Sequence, residues 1–443
     1  MRQGTRRNAT RQYRHHIDII YADIIAANRK DFSTARKAIP GMACIFCKSP
    51  LHDYRSCIVL YRMQKQREIA PTLKQDFFGK APNVFIGRHG YPHIRVGILS
   101  TEEYNKNDDP LAWSAEGTSI PDIIALRSML VNSHFLSAVK GKGSNFSPVA
   151  REVSLAKRPV DMEIRLEKAP HPRLSFNNDL APHGPNVPLR AAAITENTPV
   201  DTRVDKVASA DDLTAGDAIA ALAGKGFDEH FLTRAFSMGN FGLPLERKLV
   251  PTRWSITAVD DIRGKQLLND IRRYPESDCI AYVGGHLGNH YIILLLDSVW
   301  QYELFEQFVP RRHLQRQVTG QITVETDYEP FEGRHEYVQE TAGGYYAARI
   351  GILEHLAARR RQSSVLAIRI ITEEYTAPLG VWVVREAVRK ALATEPVRLS
   401  DRDAAIGYAR KIAMERFGYD IDPLLRRSKL VKNLWGQKRL SEY

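Results

Sequence analysis

The chain has 443 residues, of which 43% are hydrophobic, and a formal net charge of +12. That apolar share is enough for a sizeable core and excludes wholesale disorder, and no apolar run of eighteen residues occurs, which excludes a helical membrane span. The basic surplus attracts polyanions and makes nucleic acid the first partner to consider. Four cysteines cannot build a secreted-type disulfide framework, and no apolar signal core follows the basic N-terminus. A cytoplasmic, nucleoid-associated protein is the expectation.

Residues 1–37 read as a basic arm followed by a helix, with Ile17, Ile20, Tyr21, Ile24 and Ile25 on one helical face. Residues 38–66 hold C-I-F-C-K-S-P-L-H-D-Y-R-S-C, in which Cys44, Cys47, His52 and Cys57 follow C-x2-C-x4-H-x4-C. That spacing is of the zinc-knuckle kind, and four such ligands suit tetrahedral zinc. A closed four-ligand site leaves no position for a reacting water, so a structural zinc is expected. Knuckles hold single-stranded nucleic acid with aromatic and basic side chains; Phe46, Lys48, Tyr54 and Arg55 have the right character. Ile58 to Gln66 fits either a strand or a helix.

Residues 67–430 form the expected main body, a mixed α+β fold. Val84–Ile86 and Ile94 with Val96 read as two strands around a loop carrying Arg88, His89 and His93. That loop is either a decorated hairpin or a phosphate cradle built on Arg88. Val160, Met162, Ile164 and Leu166 alternate as in a strand, but five prolines between 170 and 188 suggest a long surface excursion near 140–210. Asp211 to Gly224 reads as a helix.

The run R-K-L-V-P-T-R-W-S-I-T-A-V-D-D-I-R-G crowds Arg253, Trp254, Ser255, Asp260 and Asp261 ahead of a helix marked by Leu267, Leu268 and Ile271. The aspartates fit two roles: caps at that helix's N-terminal end, or ligands for Mg2+ or Mn2+ in a pocket with Arg253 and Ser255, closed by Asp327, Glu329 or Arg385. Adjacent aspartates on a helix diverge by roughly 100°, so a metal would need a further carboxylate.

Cys279 to Leu296 reads as a hairpin turning at Gly288–Asn289, with His286 and His290 flanking the turn and Cys279 in the core. Helices are expected from Thr341 to Arg361, from Gly380 to Ala393, and from a Ser400/Asp403 capping box to Phe417, with a strand over Val365–Ile371. The tail, 431–443, ends Q-K-R-L-S-E-Y. One helical turn would place Leu440 and Tyr443 on one side as anchors with Gln437 as a polar latch, the form of a sliding-clamp (PCNA-type) peptide.

Taken together, C-I-F-C, V-F-I-G-R-H-G-Y-P-H-I-R-V-G, A-K-R-P-V-D, L-V-P-T-R-W-S-I-T-A-V-D-D-I-R-G, H-L-G-N-H-Y-I-I-L-L-L, G-G-Y-Y-A-A-R and P-L-G-V-W-V-V-R-E-A-V resemble the archaeal Nre family of DNA-repair proteins. The resemblance implies a role in surviving DNA damage, an N-terminal cysteine motif and a clamp-binding C-terminus. His52 stands where relatives carry a cysteine, and the tail has one aromatic where clamp peptides usually have two. The leading expectation is a DNA-binding repair factor recruited by a sliding clamp. Beside it stand a metal-dependent nuclease or nucleotide-acting enzyme, and an RNA-binding or scaffold protein.

Overall fold

Between Asp76 and Ile194 inward apolar residues alternate with outward ones, and the strands they define close into a barrel. The structure, a computed structural model, describes residues 58–69, 72–141, 143–171, 184–309 and 324–436. The first element is helical, α1 (Ile58–Ile69). Then come β1 (Asp76–Ile86), β2 (His93–Thr101), α2 (Pro110–Glu116), α3 (Ile120–Ser128), β3 (Val131–Ala138), α4 (Ser147–Leu155), β4 (Val160–Leu166) and β5 (Asn186–Ile194). The barrel order is β1-β2-β3-β5-β4, with β4 returning to β1. The β3–β5 pair is parallel and the others antiparallel. Ile94, Val96, Ile98, Met162, Ile164 and Leu166 fill the interior, each aliphatic side chain contributing about 1.5–3 kcal/mol on leaving water. A five-stranded barrel in this order, with a helix between the third and fourth strands, has the topology of oligonucleotide-binding barrels.

The stretch 140–210, expected as a surface excursion, therefore supplies α4, β4 and β5. Pro188 is accommodated within β5, where its carbonyl accepts from the Glu167 N–H. Residues 172–183 lie outside the described residues, as do the arm, the four expected zinc ligands and residues 437–443.

Helices α5 (Thr202–Ser209), α6 (Ala215–Ala223) and α7 (Glu229–Ser237) lead to the long α8 (Thr252–Ile271). After it a second sheet begins with β6 (Ile280–His286), β7 (Asn289–Leu296), β8 (Gln301–Phe308) and β9 (Val324–Glu329). It continues through α9 (Ala342–Arg359), β10 (Ser364–Ile371), α10 (Trp382–Leu392), β11 (Val397–Arg398), α11 (Arg402–Phe417), α12 (Asp422–Arg427) and α13 (Lys429–Gly436). The order is β11-β6-β7-β10-β8-β9, with β10 parallel to β8. One face packs on α8, α9 and α10, the other on α11, α12 and α13. With both faces covered, β7 and β10 are apolar at successive positions rather than alternately, and Tyr291 to Leu296 are all buried.

Three local expectations are corrected. The β6–β7 turn is Leu287–Gly288, both at positive φ (49° and 73°), and Asn289 already pairs with His286; two residues in that conformation match the twist of the strands. The α11 cap is Asp401, whose carboxylate accepts from the Ala404 N–H, while the Ser400 hydroxyl donates to Asp401. Helix α8 starts at Thr252, directly after Pro251, so Asp260 and Asp261 lie in mid-helix and cap nothing.

Candidate nucleic-acid interface

One end of the barrel is assembled from three distant segments. The Ile86 N–H donates to the Thr252 hydroxyl at 2.9 Å, tying the end of β1 to the start of α8. Gly87 N–H donates to Arg95 O (2.8 Å), Val139 N–H to Pro92 O (2.9 Å) and Leu249 N–H to Val139 O (3.0 Å). These bonds make one rim of residues 86–95, 138–141 and 247–254. No carboxylate occurs in residues 87–95, 138–141 or 247–254, which carry Arg88, Arg95, Lys140, Arg247, Lys248 and Arg253. Glu246 lies just beyond. Arg247 is committed to the Gly242 and Ala210 carbonyls, whereas Arg95, Lys140, Lys248 and Arg253 are exposed.

Aromatic and apolar side chains interleave with these cations. Tyr91 is 63% exposed, Leu136 65% and Trp254 52%. Single exposed hydrophobics need no explanation, but several beside one basic rim mark an interaction surface. On the outer face of β2 and β3, Arg95 pairs with Leu136 and Gly97 with His134. Gly97 is required here, because a Cβ would lie 1.7 Å from Asn132 Oδ1. His134 has its pKa lowered, first by burial and then by the Arg95 guanidinium, and its Nδ1 meets no partner among the described residues. In oligonucleotide-binding barrels the ligand lies across strands 2 and 3 and the loop joining strands 1 and 2. Here those parts are His93, Arg95, His134 and Leu136, and the loop of Arg88, His89 and Tyr91.

The other sequence-derived candidates are dispersed. Ser255 is buried and its hydroxyl donates to Val250 O. Asp260, 1% exposed, accepts from Arg385 at 2.7 Å. Burial pushes its carboxyl up to about 6, against the opposing pull of Arg385. Asp261 pairs with Lys265 at 2.7 Å. Asp327 accepts from the backbone of Gln339, Glu340 and Thr341, and Glu329 from Trp300, Tyr345 and Arg349. The expected pocket of Arg253, Ser255, Asp260 and Asp261 thus divides. Arg253 faces solvent on the rim beside the Arg88 loop, while Asp260 belongs to an ionic core with Glu229, Arg263, Glu354, Arg385 and Arg389. Among the described residues no group of three acidic, histidine or cysteine side chains is arranged to hold a metal ion, and no helix is long and apolar enough to cross a membrane.

Arg95, His134 and Leu136 were not singled out from the sequence. The alternation H-I-R-V-G marks Arg95 as outward, but the parallel β3–β5 pairing that makes this face a barrel exterior is long-range and has no local signature.

The molecule is thus an oligonucleotide-binding-type barrel joined to a sheet covered by helices on both faces. Residues 51–313 match the family profile "Archaeal Nre, N-terminal" and residues 329–443 match "Archaeal Nre, C-terminal"; the chain belongs to the archaeal Nre family. It is 35% identical over 366 residues to DNA repair protein NreA of Haloferax volcanii, covering 80% of this chain and 86% of that protein. Against DNA repair protein NreA of Archaeoglobus fulgidus the identity is 34%, covering 83% and 93%, and against NreB of the same organism 30%, covering 88% and 97%. No solved structure matches the chain.

Proposed function

We propose that the chain is a DNA-repair factor that holds DNA across the β2–β3 face of its barrel and the adjoining rim. The observation that carries this reading is the carboxylate-free rim in which the Arg88 loop and the Arg253–Trp254 turn are joined by the Ile86–Thr252 hydrogen bond. Cations there meet phosphates, and the exposed rings of Tyr91 and Trp254 offer stacking surfaces for unpaired bases, the two components of single-strand recognition. The repair context is supported by the names of the relatives, each a DNA repair protein. Cys44, Cys47, His52 and Cys57 hold a structural zinc in this reading, and Phe46, Lys48, Tyr54 and Arg55 add to the grip on DNA. The tail recruits the protein to a sliding clamp through Gln437, Leu440 and Tyr443, and DNA binding keeps it at the nucleoid.

The nuclease alternative gains no support from the carboxylates first considered for it, since Asp260 and Asp261 are already neutralised by Arg385 and Lys265. The test is fluorescence anisotropy of labelled single-stranded and duplex DNA, and of matched RNA, across a salt series. Log affinity should fall with log salt by about 0.7 per phosphate contacted on single strands. Affinity that is flat with salt, or preference for RNA, overturns the reading.

A further inference from the structure

The β6–β7 hairpin lies outside the barrel and presents a second set of polar groups. His286 Nδ1 lies 3.1 Å from Lys390 Nζ, which also donates to Ser114 O at 2.8 Å. An ammonium only donates, so Nδ1 is the acceptor and the proton of the neutral ring sits on Nε2. Burial, and then the charge of Lys390, pushes the imidazole down to about 4, which keeps the ring neutral near pH 7. The Nε2 atom is buried and has no hydrogen-bond partner among the described residues. A buried donor without an acceptor is costly, so this one calls for a ligand.

His286 lines a cavity of about 560 Å³, a volume typical of small-molecule sites. Ile120, Pro121 and Val283 give it apolar walls. His290 and Phe417, whose ring centroids lie 5.1 Å apart, add aromatic surface. Arg416 also lines it and is exposed; the carboxylate of Glu374 lies 3.7 Å from His290 Nε2. The cavity therefore combines apolar walls, aromatic rings, one fixed neutral donor and a cation.

We propose that this cavity takes a nucleotide, its uncharged planar base accepting the His286 Nε2–H through a carbonyl or ring nitrogen, with its phosphate toward Arg416. The base lies against the rings of His290 and Phe417. The donor and the cavity stand independently of the barrel; the choice of a nucleotide over other planar heterocycles rests on the DNA-directed function proposed above. The same chemistry is offered by a free nucleotide and by a base unstacked from a DNA strand.

The test uses the full chain labelled with 15N-histidine, titrated with the four deoxynucleoside monophosphates and with a single-stranded oligonucleotide. A saturable shift of the His286 Nε2–H resonance is expected. His286→Phe, which keeps a ring but removes the donor, should weaken binding at least tenfold, and His286→Gln, which restores a neutral N–H donor, should recover much of it. Saturation by mononucleotides assigns the free nucleotide, and a response to the oligonucleotide alone assigns the unstacked base. No shift with either ligand, or equal affinity for wild type and a folded His286→Phe, overturns the proposal. The Arg88→Ala/Arg253→Ala pair separates the two readings. If it leaves DNA affinity intact while mononucleotides still shift His286, the barrel interface fails and the cavity stands.

Discussion

Arg385 Nη1 donates to Asp260 Oδ2 across 2.7 Å, joining α10 to α8 with each side chain at most 3% exposed. Glu229 lies in the same ionic core: burial alone would raise its carboxyl, but the guanidiniums of Arg385, Arg389 and Arg263 outweigh burial and hold it well below the usual carboxylate range. Arg385→Ala leaves a buried carboxylate without its partner. Urea unfolding should show a loss of about 3–5 kcal/mol. Replacing Asp260 and Arg385 together by apolar residues of matching volume should cost less than Arg385→Ala alone; equal cost would mean the pair is not a unit.

Asp260 also sets a pH dependence. Its folded-state pKa, about 6, lies above its ordinary value of 3.8, so between those values the folded chain binds more protons than the unfolded one. Its contribution to stability therefore falls as pH rises from about 4 to about 6. Glu229, lowered on folding, has the opposite sign: its contribution is present above its unfolded pKa and is lost as pH falls. Unfolding free energies of wild type and Asp260→Asn should converge or cross as pH rises from 4 to 6, the difference changing by on the order of 1–3 kcal/mol. A constant difference would mean Asp260 does not titrate in that window.

On the barrel rim, Arg and Trp substitutions should leave different signatures. Arg253→Ala and Arg88→Ala should each flatten the salt dependence of single-strand binding by about 0.7. Trp254→Ala should leave that slope in place while removing about 1–3 kcal/mol of affinity for single strands. Thermal unfolding of Trp254→Ala should be close to wild type, because its ring is half exposed. A Trp254→Ala protein with unchanged affinity would remove this ring from the interface.

For the cysteine segment, the purified chain should carry one equivalent of zinc by elemental analysis. Cys44→Ser and Cys57→Ser should each lose it, as each removes one of four ligands. Retention of zinc in both variants would place the metal elsewhere.

Leu440→Ala with Tyr443→Ala should abolish capture of a sliding clamp in a binding assay and leave DNA affinity unchanged. The substitutions remove both apolar anchors of a one-turn peptide. Clamp capture that persists without them would show that recruitment runs through another surface.

Much of the framework could be read from local pattern. The alternation in Val160–Leu166, the apolar run of Tyr291–Leu296 and the strand over Val365–Ile371 all occur as expected, because each is signalled by its own residues. Helix α8 was placed too late in the chain. Its first two turns carry Arg253, Trp254, Ser255 and Thr257, and much of its buried face is held by charge pairs, so no apolar stripe marks its start. The barrel was hidden for a different reason. Prolines around β5 suggested a loop, and the parallel contact of Asn132–His134 with Asn186–Pro188 brings together residues more than fifty positions apart. Arg88 and Arg253 were both singled out, but their joint rim depends on one hydrogen bond, from Ile86 to Thr252, between segments 166 positions apart.

Strand β10 lies between β7 and β8. The segment after residue 324 is thus threaded into a sheet begun before residue 309. A backbone severed between those points would leave each fragment with bare strand edges that the other alone can satisfy. The fragments would behave as two subunits of a noncovalent heterodimer. The N- and C-terminal Nre segments, although recognisable separately, are therefore halves of one folding unit, and a gene fusion or deletion that moved one without the other would strand both.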